Sequence, residues 1–103
     1  MINSVSAQIL KEWLAKNEAI LVDVREPSEY QAGHIDGATL LPLGSITNGK
    51  LPDLEGRRLV LQCRVGGRSQ MACMKLIVEN PEQEVYNLEG GIEAWKQAGY
   101  ETK

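Results

Sequence analysis

The sequence has no phenylalanine, one histidine and two cysteines among its 103 residues. Without phenylalanine, the interior of any fold must be filled mostly by Leu, Ile, Val and Ala. The two cysteines, Cys63 and Cys73, do not make a disulfide framework. With His34 as the only histidine, they also supply too few ligands for a structural zinc site, so no metal is expected. No apolar run approaches the ~18 residues of a membrane span. No basic segment followed by an apolar signal core opens the chain. The expectation is a cytoplasmic protein with no membrane partner, and free thiols suit a reducing compartment. The net charge of -3 argues against nucleic acid as a partner.

Acidic residues are missing from one stretch. No Asp or Glu lies between Gly56 and Val78, although the chain has 14 acids. Arg57, Arg58, Arg64 and Arg68 fall inside this stretch. A local positive field draws small anions even to an acidic protein. The plainer reading is a solvated basic edge.

The chain is long enough for one domain, residues 1–103, burying roughly 65% of its unfolded surface without staples. Ser6 can cap a first helix running to about Lys16, with Ile9, Leu10, Trp13 and Leu14 on one face. Ala19 to Val24 is a continuous apolar run, the pattern of a strand buried on both faces. Pro27 suits the first turn of a short helix over Ser28 to Gln31. Thr39 to Leu41 is a short strand stopped by Pro42, and residues 44–57 read as loop with at most a helical turn. Arg58 to Gln62 is a central strand, and a helix runs from Arg68 to about Glu79. Glu84 to Leu88 is another strand, and a last helix covers Ile92 to Ala98 before Gly99. Strands alternating with helices predict an α/β domain, a mainly parallel sheet with helices on both faces. Ligands of such sheets bind beyond the carboxyl ends of the strands.

Cys63 lies at such an end. The run Cys63-Arg64-Val65-Gly66-Gly67-Arg68-Ser69 joins the central strand to a helix N-terminus. Loop amides and the helix dipole favour negative charge there, so the thiol should lose its proton more readily than a free one. Gly66 and Gly67 permit the backbone angles that converging amides need.

Three segments together resemble the rhodanese family of sulfurtransferases. The first is Leu21-Val22-Asp23-Val24-Arg25-Glu26-Pro27, with Glu29-Tyr30, Gly33-His34-Ile35-Asp36-Gly37-Ala38 and Pro42 after it. The second is the Cys63 to Ser69 loop, similar to the family's Cys-x-x-Gly-x-Arg-Ser form. The third is Leu88-Glu89-Gly90-Gly91-Ile92-Glu93-Ala94-Trp95, ending at Gly99. The resemblance covers nearly the whole chain and implies a three-layer rhodanese-like domain with about five strands.

It also implies a sulfurtransferase in which the Cys63 thiolate takes the sulfane sulfur of a small anionic donor such as thiosulfate. The resulting persulfide gives that sulfur to a thiophilic acceptor, cyanide or a thiol. No cofactor is needed beyond the covalent sulfur. Cys63 is the nucleophile, and the residues from Arg64 to Ser69 form the binding loop. Arg64 is suited to the sulfonate end of thiosulfate. Thiosulfate-specific members often carry basic residues at the second and third loop positions, and Val65 departs from this. A persulfide carrier serving protein donors and acceptors is therefore the alternative. A phosphatase or arsenate reductase is the third reading, but its cradle resembles Cys-x5-Arg, one residue longer than the interval from Cys63 to Arg68.

Several side chains have a structural role open beside a functional one. Arg68 either faces substrate or pins the loop, with Asp23 or Glu26 as the expected partner; pinning is favoured. Ser69 caps the helix or donates to the persulfide, with capping favoured. Arg25 pairs with an acid in preference to joining the anion site, and Asp23 supports the same strand end. His34 makes a structural hydrogen bond, Cys73 packs, and Trp13 and Trp95 anchor the core.

Overall fold

Ser6 separates the first strand from the first helix. In the computed structural model, which describes residues 1–103, β1 (Ile2–Val5) leads directly to α1 (Ala7–Ala15). The Ser6 hydroxyl accepts from the Ile9 amide at 3.2 Å, so it caps α1 as its residue type suggests. The chain then passes through β2 (Ala19–Asp23), α2 (Pro27–Ala32), β3 (Thr39–Leu40), a 3-10 turn (Asn48–Lys50) and β4 (Arg58–Gln62). It finishes with α3 (Gly67–Glu79), β5 (Val85–Leu88) and α4 (Gly91–Gln97).

The five strands form one parallel sheet in the order β1-β5-β4-β2-β3. β2 and β4 lie side by side at its centre, which is why both are apolar along nearly their whole length. β1 is the element that the sequence pattern does not reveal. Ile2-Asn3-Ser4-Val5 is half polar and sits at the sheet edge, held by its pairing with β5 from Ile2↔Val85 to Val5↔Leu88. That partner is more than eighty residues away in the chain, beyond the reach of local periodicity.

Each face of the sheet has its own core. Leu10 of α1 and Ile92 and Trp95 of α4 pack with Leu21, Val60 and Leu88 on one side. Ala72, Cys73 and Leu76 of α3 pack with Val22, Leu59 and Leu61 on the other. The result is the expected three layers. Trp95 is buried, but Trp13 stands at the boundary rather than in the core. Its ring meets Tyr86 edge-on at 5.1 Å and carries the Arg58 guanidinium 4.5 Å from its centroid.

The carboxyl ends of β2, β4 and β5 converge. Asp23 is in register with Gln62, and Leu61 with Asn87. The loop after β4 therefore emerges between the other two strand ends. Its carbonyls are held by the start of α4: Ile92 donates to the Cys63 oxygen at 2.9 Å and Glu93 to the Arg64 oxygen at 3.1 Å. Such a close approach requires Gly91. A Cβ there would lie well inside contact distance of the Cys63 and Arg64 backbone, and its φ of 59° is in the left-handed region.

Candidate active site

Cys63 is the first residue after β4, and only 1% of it is exposed. Its Sγ accepts from the Gly66 amide at 3.0 Å and lies 3.3 Å from the Ser69 hydroxyl. Gly66 bends the loop back with φ 114° and ψ -15°, a conformation that costs a residue with a side chain and suits glycine. Gly67 opens α3 without a positive φ, so only Gly66 exploits glycine's extra freedom in this loop.

Burial alone would raise the Cys63 pKa. In the thiolate form, hydrogen bonds from a Ser69 hydroxyl turned to Sγ and from the amides of Ser69, Gly66 and Val65 outweigh that penalty and hold the pKa below the ordinary thiol value. The other thiol behaves in the opposite way. Cys73 lies fully buried on the inner face of α3, and burial pushes its pKa up to about 12. Two cysteines ten residues apart thus differ in kind: Cys63 is the candidate nucleophile and Cys73 a packing residue.

Arg68 pins the loop, but not through the expected partners. Its two guanidinium nitrogens donate to the two carboxylate oxygens of Glu29 on α2, at 2.6 and 2.9 Å. Asp23 and Glu26 are otherwise engaged. Arg25 occupies Asp23 through Nε and Nη2, and the Glu26 side chain belongs to the capping box of α2. Glu29 closes that box by accepting from the Glu26 amide at 3.0 Å, so a single carboxylate serves helix and loop together. The Arg68 hydrogen bonds, followed by that amide, bring the Glu29 pKa down from 4.5 to about 2.

Asp23 and Arg25 form a buried support rather than an anion site. Asp23 is fully buried, Arg25 is 5% exposed, and Arg25 also donates to the Gly33 carbonyl at 2.8 Å. Its charge is consumed by these contacts. Arg64 and Val65 differ: both side chains project outward at the lip of the loop, and Val65 is 55% exposed. Arg64 makes none of the four salt bridges.

Ser69 does not cap α3. The cap position belongs to Gly66, and Ser69 lies in the first turn, fully buried, with its hydroxyl turned toward Cys63. The same oxygen meets Asn87 Oδ1 at 2.6 Å. Asn87 was not singled out by sequence reasoning. The available signal was an amide side chain in the strand ahead of Gly90-Gly91. His34 lies apart from the thiol, stacked on Tyr30 at 3.9 Å with Nδ1 bound to the Tyr30 carbonyl at 2.9 Å. It is a structural residue, as its place in the glycine-rich turn suggests.

A strand-end thiol facing an inward loop amide, tied down by an arginine, matches a known family. The model of the Rhodanese-like domain matches residues 6–98. The chain belongs to the rhodanese-like family. A protein of Pseudoalteromonas translucida named thiosulfate sulfurtransferase GlpE is 35% identical over 92 residues, covering 89% of this chain and 86% of that protein. A Mycobacterium tuberculosis protein named probable adenylyltransferase/sulfurtransferase MoeZ is 36% identical over 98 residues, 90% of this chain but 24% of its own length. The crystal structure of a rhodanese-related protein from Thermoplasma volcanium superimposes with a TM-score of 0.83 at 25% identity, covering 98% of this chain and 97% of that one. Kinship is therefore with sulfurtransferases, both as single small domains and as one part of a larger protein. No helix of this rhodanese domain is long and apolar enough to cross a membrane.

Proposed function

We propose that this rhodanese domain transfers sulfane sulfur through a persulfide on Cys63. The Cys63 thiolate attacks the outer sulfur of thiosulfate, forming a sulfur–sulfur bond as the bond to the sulfonate sulfur breaks. Sulfite leaves with the bonding electron pair. The enzyme then carries Sγ–S⁻, and cyanide or a thiolate attacks the terminal sulfur and returns Cys63 to the thiolate. Charge balances at each step, and no cofactor takes part.

The observation that carries this reading is the 3.0 Å contact from the Gly66 amide to Sγ, in a loop that lowers the thiol's pKa despite burial. Amides of this loop stabilise an anionic terminal sulfur as an oxyanion hole stabilises an oxyanion. The four residues between Cys63 and Arg68 leave a smaller ring than a tetrahedral phosphate cradle requires, which favours sulfur over phosphoryl transfer. Intact-mass measurement after thiosulfate treatment tests the proposal. A gain of one sulfur that cyanide removes, absent in Cys63→Ser, supports it; an unchanged mass refutes it.

One observation favours a carrier working between proteins. The exposed third loop position is Val65, so Arg64 stands alone as the cation at the lip. A lone arginine grips a dianion less firmly than two cations. In this reading the donor is a protein persulfide, which leaves as its thiolate, and the acceptor is a protein thiol; the fused architecture of the MoeZ relative is consistent with it. A millimolar KM for thiosulfate with rapid loading from a persulfide donor marks the carrier; a low KM marks the small-molecule enzyme.

A further inference from the structure

Ser69 has one hydroxyl proton and three acceptors within reach. Asn87 Oδ1 lies at 2.6 Å, the Gly66 carbonyl at 3.2 Å and Cys63 Sγ at 3.3 Å. A hydroxyl donates only once. The Gly66 carbonyl does not need it, because it already receives the Gln70 amide at 3.1 Å and Asn87 Nδ2 at 3.1 Å.

The Asn87 amide cannot turn over to resolve the competition. Flipping it would set Oδ1 against the Gly66 carbonyl, which has no proton to give. Nδ2 therefore faces Gly66 and the Gln70 side-chain oxygen, 3.2 Å away, while Oδ1 faces Ser69. In this arrangement Ser69 donates to Asn87, and its oxygen is free to accept from a neutral Cys63 thiol. A bare thiolate needs the reverse: Ser69 must rotate toward Sγ and leave Asn87 Oδ1 without its donor.

We propose that Asn87 is a positioning residue that competes with Cys63 for the Ser69 proton and so restrains the resting thiolate. The inference rests on the reading of Cys63 as the sulfur-accepting nucleophile, and it assigns a consequence to loading. Once Sγ bears a second sulfur, the negative charge moves to the terminal atom and Sγ no longer needs a donor. Ser69 then returns to Asn87. The pair thus favours charge on the outer sulfur over charge on the bare nucleophile, which holds the free thiol back from stray electrophiles while supporting the loaded form.

Other groups near the thiol are charged, and each enters the comparison. The Asp23–Arg25 pair stands at the end of β2, Glu29 on α2 is bound to Arg68, Arg64 is at the lip, and Glu93 lies in the first turn of α4. β5 presents the uncharged Asn87. All these charges are the same in the variants compared, so differences among them report on Ser69 and Asn87.

The test is the rate of Cys63 alkylation by iodoacetamide as a function of pH, measured on Cys73→Ala backgrounds. Asn87→Ala should move the midpoint about one pH unit lower, because Ser69 is released to the thiolate. Ser69→Ala should move it upward by a similar amount, and adding Asn87→Ala to Ser69→Ala should change it no further. An upward shift in Asn87→Ala, or an equal downward shift in the absence of Ser69, overturns the proposal, since a merely structural role does not depend on the Ser69 hydroxyl. If Asn87→Ala fails to fold, Asn87→Leu gives the same reading, because its similarly shaped side chain has no acceptor for the Ser69 proton. Alkylation does not require sulfur transfer. Failure of the persulfide reading shows in the thiosulfate mass measurement, whereas failure of this inference shows in the pH midpoints.

Discussion

The Glu29 carboxylate receives both arms of Arg68, at 2.6 and 2.9 Å, and joins α2 to the loop that holds Cys63. The same carboxylate closes the capping box at the start of α2. Two segments thirty-nine residues apart therefore share one anchor.

Arg68→Lys should slow sulfur transfer and lower the melting temperature together. Lysine keeps the charge but cannot present two parallel donors to one carboxylate. The pair is about one-third exposed, so solvent screening limits the loss of stability to about 0.5–1 kcal/mol. Thermal melts and sulfur-transfer rates check both effects; a slower enzyme with an unchanged melt would show that Arg68 serves substrate instead of the loop.

The pH dependence of this anchor follows from the depressed Glu29 pKa. Its carboxyl titrates near 2 in the folded protein against an ordinary 4.5. The contribution to stability is complete above about 4.5 and is lost as pH falls toward 2. Glu29→Gln should accordingly melt lower than the parent at pH 7, and the gap should close between those two values. Parallel melting curves across that range would contradict the assignment.

Native alkylation at neutral pH should modify one thiol per chain. Cys63 has its pKa lowered within the loop, whereas burial raises Cys73 to about 12. Peptide mapping should locate the label on Cys63, with Cys73 reacting only after denaturation.

Gly91→Ala should disable the site from outside the catalytic loop. The new Cβ would collide with the Cys63 and Arg64 backbone, and the left-handed φ adds strain. A loss of about 1–3 kcal/mol is expected from the backbone alone, read by denaturant titration, with sulfur transfer reduced further because the Cys63 carbonyl must move.

Arg25→Ala should be more damaging than any substitution of the exposed Arg64. It leaves the fully buried Asp23 carboxylate without its partner at the end of β2. Breaking one half of such a pair costs about 3–5 kcal/mol. Equilibrium unfolding of Arg25→Ala and Arg64→Ala compares them directly; Arg64→Ala should leave stability intact and raise the KM for thiosulfate.

Local chemistry alone determined much of this protein. Continuous apolar runs marked β2 and β4, Ser6 and Pro27 marked helix starts, and the strand–cysteine–glycine–helix order placed Cys63 at a carboxyl strand end. Each of these signals resides in a few neighbouring residues, so it survives without the fold. β1 was not legible, because half-polar Ile2-Asn3-Ser4-Val5 becomes a strand only beside Val85–Leu88. The partners in the site were not legible either. Arg68 chose Glu29 because Arg25 had already claimed Asp23, and Ser69 became a neighbour of the thiol because the Gly66 turn moved the helix cap three residues earlier. Asn87 joined the site only when β5 was set beside β4. The sequence by itself singled out Cys63 as the candidate nucleophile, because a thiol's reactivity follows from its immediate loop. The tertiary structure decided which side chains hold and restrain it, because hydrogen bonds and ion pairs depend on distances that only the packed sheet creates.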